Sequence, residues 1–143
     1  MQQRLHIRPA RNYTPQSSRN RVLYAVLTLA VVAAGLLWRS DSMPLPPAFS
    51  KYGGDALWAL MVFLGCGFLL PRASTLTVAL LALTFAWGVE FSQLYQAPWI
   101  DALRATLPGR LVLGNTFNWP DLPAYALGIG LGVLVEWRIR PSK

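Results

Sequence analysis

The chain has 143 residues, of which 54% are hydrophobic and only 13% charged, with a formal net charge of +7. A soluble domain carries about 25% charged residues, so this chain has too few polar side chains to cover its surface in water, a need that a bilayer removes. Its basic residues flank apolar runs without interleaved aromatics, which excludes nucleic acid as a partner, and a lone Cys66 and a lone His6 offer no disulfide, metal set or cofactor site.

Residues 1–21 hold Arg4, Arg8, Arg11, Arg19 and Arg21 with no acidic residue, and read as a flexible cytoplasmic arm near anionic headgroups. The Asn12-Tyr13-Thr14 sequon is discounted on that placement. Val22 to Trp38 is an uncharged run of 17 residues, about 25 Å long as a helix and near the lower limit for a bilayer core. A cleaved signal peptide is the rival reading, but Leu-Leu-Trp-Arg follows where a small-residue cleavage site would stand. The run is taken as an uncleaved first helix.

Ser40 to Gly54 contains three prolines and two glycines and reads as a loop. Asp55 then opens the second run, Ala56 to Leu70, as its N-cap, and Pro71-Arg72 ends it. The third run, Ala73 to Val89, continues in helical register through Glu90 and Gln93. The very short turn between these two runs predicts antiparallel packing.

From Pro98 onward, Ile100, Leu103 and Leu107 share one face, with Asp101 and Arg104 elsewhere. That pattern suits an amphipathic piece in the interface, anchored by Trp99 and broken at Pro108-Gly109. Arg110 to Gly114 is a brief apolar patch, and Asn115 to Pro120 is rich in turn residues. The last run, Leu122 to Val135, has 14 uncharged residues, short for a span unless its ends snorkel or the bilayer thins.

The expected fold is an all-α membrane protein: a compact bundle of four short transmembrane helices over 22–137, with an interfacial segment before the last helix. A basic cytoplasmic tail, 138–143, closes the chain. With four spans, the arm, the Pro71-Arg72 turn and the tail share one side and carry nine of the 13 basic residues. The positive-inside rule then puts both termini in the cytoplasm of a multi-pass protein of the bacterial inner membrane.

Five polar residues, Asp55, Glu90, Gln93, Arg110 and Asp121, then fall at the extracytoplasmic ends of the runs. Glu90 and Gln93 are three apart and project from one helical face. Asp121 leads a face that continues through Ala124, Tyr125, Gly128 and Gly132, whose small residues permit close helix approach. If that face meets the Glu90 face, Glu90, Gln93, Arg110, Asp121 and Tyr125 converge in one cleft. Arg110 would then be available for a phosphate or carboxylate. A charge at membrane depth costs a few kcal/mol or more unless it is paired or wet. The same residues could equally be hydrogen bonds and caps that pin a bundle. Asp55 is the poorest candidate, since capping explains it.

The stretch Trp87-Gly88-Val89-Glu90-Phe91-Ser92-Gln93, together with Gly109-Arg110-Leu111-Val112-Leu113-Gly114 and Trp119-Pro120-Asp121-Leu122-Pro123-Ala124-Tyr125, resembles a bacterial integral-membrane family catalogued as domain of unknown function 2809. The resemblance covers helices one to four and leaves out the basic arm. The spacing is also similar in outline to VanZ-like membrane proteins, whose E-x-x-Q, downstream Arg, Asp and Gly-rich helix correspond to Glu90, Gln93, Arg110, Asp121, Gly128 and Gly132. Tyr125 stands where that pattern has Asn, and Lys51 and Asp55 stand for its early Asp-Lys without the His.

These features lead to the expectation of a non-enzymatic membrane protein whose outward cleft binds an anionic lipid or a lipid-linked envelope precursor. A membrane enzyme using Glu90 and Asp121 as an acid–base pair is one alternative. A structural or assembly subunit is another. No residue pattern sets an oligomeric state.

Overall fold

A computed structural model describes residues 18–40 and 43–139. Among the described residues the chain forms six helices: α1 (Arg21–Trp38), α2 (Pro47–Leu69), α3 (Thr75–Ser92), α4 (Pro98–Ala105), α5 (Leu107–Leu113) and α6 (Asp121–Ile139). Four of them, α1, α2, α3 and α6, are long and apolar enough to cross a membrane. At 1.5 Å per residue they measure about 27 to 35 Å, which matches a hydrocarbon core of about 30 Å. The protein is therefore an all-α, multi-pass membrane protein. The expected sequon and His6 lie outside the described residues, as do most of the basic arm and residues 140–143 of the tail.

Local chemistry sets the boundaries. Asn20 caps α1 by accepting from the N–H groups of Val22 and Leu23, and Ser74 caps α3 through Thr77. Pro47 and Pro98 occupy the first turns of α2 and α4, where a missing N–H costs nothing. Here the structure corrects the sequence reading: α2 begins eight residues before Asp55, which sits in its third turn and is no N-cap. Gly53 and Gly54 suggested a loop, yet both are helical. A Cβ at Gly53 would collide with the Trp38 ring of α1, and one at Gly54 would displace the side chain of Arg39, the residue that ends α1, so these glycines are where α1 comes close to α2.

The centre of the bundle is α2 against α6. Each has 33% of its span buried within the protein, against 6% for α1, whose backbone packs on α2 and which reaches α6 through Tyr24. The core joins Tyr24, Ala59, Phe63, Val78, Ala82, Ala86, Tyr125 and Ile129. Many are small, as expected where lipid supplies no hydrophobic drive between helices and close backbone approach must do the work. A Cβ at Gly128 would collide with the carbonyl of Ala56, and one at Gly132 would meet Phe63 at 2.5 Å. The small face of α6 therefore seats on α2 at Gly128 and Gly132, and the same face reaches Glu90 of α3 through Tyr125. Ala124, also buried, belongs to the same surface.

The last helix is longer than its uncharged run because Glu136, which ended the sequence reading, lies inside it. Arg19 binds Glu136 through two hydrogen bonds, of 3.1 and 2.6 Å, and both side chains are essentially unexposed. Tyr24 and Thr75 also donate to Glu136, at 2.8 and 2.7 Å. Arg19 donates in addition to the carbonyls of Leu70 and Ala73 in the α2–α3 turn. This clasp fixes the starts of α1 and α3 to the end of α6. Arg19 therefore belongs to the bundle and not to a flexible arm, since its guanidinium is buried and hydrogen-bonded.

The segment after α3 folds back as two short helices. Ile100 and Arg104 face the protein, four residues apart, while Leu103 and Trp99 are exposed, so the expected Ile100/Leu103/Leu107 face is divided. Arg104 donates to the carbonyls of Ser92 and Tyr95, at 2.7 and 2.9 Å, where a cation satisfies the open end of α3. Thr106 ends α4 and caps α5, which places Leu107 in a separate helix.

Candidate functional site

At the end of the bundle away from the clasp, α2, α3, α6 and the loop after α5 enclose a pocket of about 460 Å³. That is within the usual range for small-molecule sites. Lys51 and Asp55 reach it from α2, Glu90 and Gln93 from the end of α3, and Asp121 and Tyr125 from the first turns of α6. Arg39 enters from the end of α1, and the backbone at Gly114–Thr116 forms a further wall.

Each side chain arrives for a local reason. Lys51 and Asp55 are four residues apart on α2 and pair at 3.3 Å. Lys51 also bonds Asp121 across to α6, and Arg39 pairs with Asp55. The close seating of Gly128 on Ala56 is what brings the Asp55 and Asp121 turns within reach of one lysine. Asp121, in the first turn of α6, is favoured by the helix dipole and also accepts from Asn118 at 3.2 Å.

Glu90 is entirely buried, with 0% of its surface exposed. It accepts from the Asn118 backbone N–H at 2.7 Å, the Tyr125 hydroxyl at 2.8 Å and the Gln93 amide at 3.3 Å. Among the described residues no lysine or arginine forms an ion pair with it. Gln93 spends its amide N–H groups on Glu90 and on the carbonyl of Leu113, at 2.9 Å. Its buried Oε1 has no partner. Gly114, at φ +63°, is required here: a Cβ would sit 2.6 Å from the Gln93 nitrogen, and the left-handed turn suits glycine.

Of the expected site, the structure brings together Glu90, Gln93, Asp121 and Tyr125, and with them Asp55, the poorest of the sequence candidates. Arg110 does not converge. It is exposed on α5 and is absent from the pocket lining. The cations that do line the pocket are Lys51 and Arg39. Lys51 would have been legible from its i, i+4 spacing to Asp55 had α2 been started at Pro47. The Asn118 N–H is a backbone donor with no side-chain signal in the sequence.

Charge and exposure are unevenly arranged. The pocket holds three carboxylates, Asp55, Glu90 and Asp121, against two cations. The side chains of Arg39 and Lys51 are 45% and 43% exposed, those of Asp55 and Asp121 only 12% and 8%. A molecule entering the pocket therefore meets the cations first, and the acceptors lie behind them. Among the described residues no cluster of metal-ligating side chains is found.

No solved structure matches the chain. A family model does match residues 44–129, more than half the sequence. The matched segment starts after α1 and ends within α6, narrower than the four-helix resemblance read from the motifs. It contains every pocket residue except Arg39. The chain thus belongs to the family described as protein of unknown function DUF2809.

Proposed function

We propose that this is a non-enzymatic membrane protein whose pocket holds the phosphate-bearing headgroup of an anionic lipid or a lipid-linked envelope precursor. The observation that carries the reading is the layering of the pocket: accessible Arg39 and Lys51 at its mouth, recessed acceptors beneath. A phosphate fits the mouth by sharing Arg39 and Lys51 with the carboxylates they already pair with, and hydroxyl or amine donors of the headgroup fit the interior at Gln93. Glu90 accepts three hydrogen bonds that hold it in place, which favours a preorganised binding wall over a proton-transferring group. The Lys and Arg distribution supports an inner-membrane orientation with both termini in the cytoplasm and the pocket outward.

The test compares anionic lipid retained through purification by wild type, Arg39→Gln and Arg110→Ala. Arg39→Gln should lose about tenfold or more, as expected when a charge-assisted contact of about 1.5–3 kcal/mol is removed, and Arg110→Ala should match wild type. Equal retention in all three proteins would refute the reading.

A further inference from the structure

A second, apolar groove of about 160 Å³ lies between α1, α2 and α5. Val31, Val32 and Gly35 line it from α1, Leu57 and Trp58 from α2, and Leu111 from α5. Among the described residues the α5 backbone comes close only to α3 and α4, and Leu111 and Val112 border α1 and α2 across this space. Two features set the groove apart from an ordinary lipid-facing furrow. Arg39 lines both the groove and the charged pocket, so the two spaces adjoin at one residue. And the indole N–H of Trp58, a groove residue, is buried with no hydrogen-bond acceptor, a costly arrangement in apolar surroundings.

The geometry points to one continuous site for a glycerol-ester phospholipid: headgroup phosphate at Arg39 and Lys51, acyl chain in the groove between α1 and α2, and an ester carbonyl accepting from Trp58. The inference rests on the headgroup reading above and adds to it how the lipid is held and which chemical class it belongs to. Polar and apolar spaces that share a cation reproduce the order of groups along an ester phospholipid, in which phosphate, ester and chain follow one another. An isoprenoid phosphate has the phosphate and the chain but no carbonyl for Trp58. A soluble phosphate ester has no use for the groove. The aromatic stack behind Trp58, with ring centroids 5.4 Å from Tyr125 and 6.3 Å from Phe85, fixes the indole and ties the groove to the Glu90 partner Tyr125.

Gly35 provides a clean way to block the groove. A Cβ there meets nothing closer than Leu57 at 3.9 Å, so the backbone accepts a side chain at this groove-lining position, and Gly35→Leu also improves helix propensity. Native mass spectrometry of the detergent-purified chain, with added phosphatidylglycerol, its dialkyl-ether analogue or an isoprenoid phosphate, reads the outcome. Wild type should bind the ester lipid about fivefold better than the ether, the worth of one net hydrogen bond of about 1 kcal/mol. Trp58→Phe should abolish that preference while keeping the ring stack. Gly35→Leu should lower ester-lipid binding at least tenfold at an unchanged or higher unfolding temperature. Should Gly35→Leu bind like wild type while Arg39→Gln fails, the groove is overturned and the headgroup pocket stands. Binding of the isoprenoid phosphate equal to the ester lipid also overturns the inference. If Arg39→Gln binds like wild type, both the groove and the headgroup reading fall.

Discussion

The two ends of the bundle both bury charge, and they do so in opposite ways. At the clasp, one arginine meets one glutamate, the glutamate takes two further hydroxyl donors, and the guanidinium also satisfies two backbone carbonyls. Exposure is nil on both partners. At the other end, three carboxylates face two half-exposed cations, an amide oxygen lacks a donor, and a cavity remains. A densely paired set of buried charges holds a fold together. An open set with surplus acceptors and space beside it is arranged for something to enter.

The contrast can be broken most forcefully at the clasp. Arg19→Met removes two charge-assisted hydrogen bonds from the buried Glu136 and should destabilise the protein by about 3–5 kcal/mol, read by unfolding in mixed micelles. Replacing Glu136 with Leu as well should recover much of that loss. Next in size is Gly128→Val, which forces α6 away from the Ala56 carbonyl at an overpacking cost of about 1–3 kcal/mol. Because that approach sets the span bridged by Lys51, this variant should also lose bound lipid, linking packing to site. Tyr125→Phe removes one donor from Glu90 and should cost about 1 kcal/mol in the same assay. Arg110→Ala, at an exposed position away from the pocket, should stay within about 0.5 kcal/mol of wild type.

The spans were legible because apolar runs of helical length have one economical reading in a bilayer. What escaped the sequence were the places where a tertiary partner changes the meaning of a residue. Gly53 and Gly54 resemble loop residues until Trp38 and Arg39 are seen pressed against them. Glu136 resembles the end of a span until Arg19, 117 positions away, neutralises it. Asp55 resembles a cap only if the helix starts at the apolar run. In the site, Glu90, Gln93 and Asp121 were legible because polar groups at membrane depth are rare and expensive. Arg110 was misplaced because spacing along the chain says nothing of which way a short helix turns between two spans.

Lipid-induced stabilisation tests most directly the claim that one end is a fastening and the other a binding site. Unfolding is followed in detergent with phosphatidylglycerol or, as reference, the same amount of phosphatidylcholine. At an anionic-lipid concentration about a hundredfold above the dissociation constant, a specific site adds about 2.7 kcal/mol. Wild type and the already weakened Arg19→Met, combined with Glu136→Leu to keep it folded, should gain equally from phosphatidylglycerol, and Arg39→Gln should gain nothing. A full gain in Arg39→Gln, or its loss in the clasp variant alone, would contradict the account.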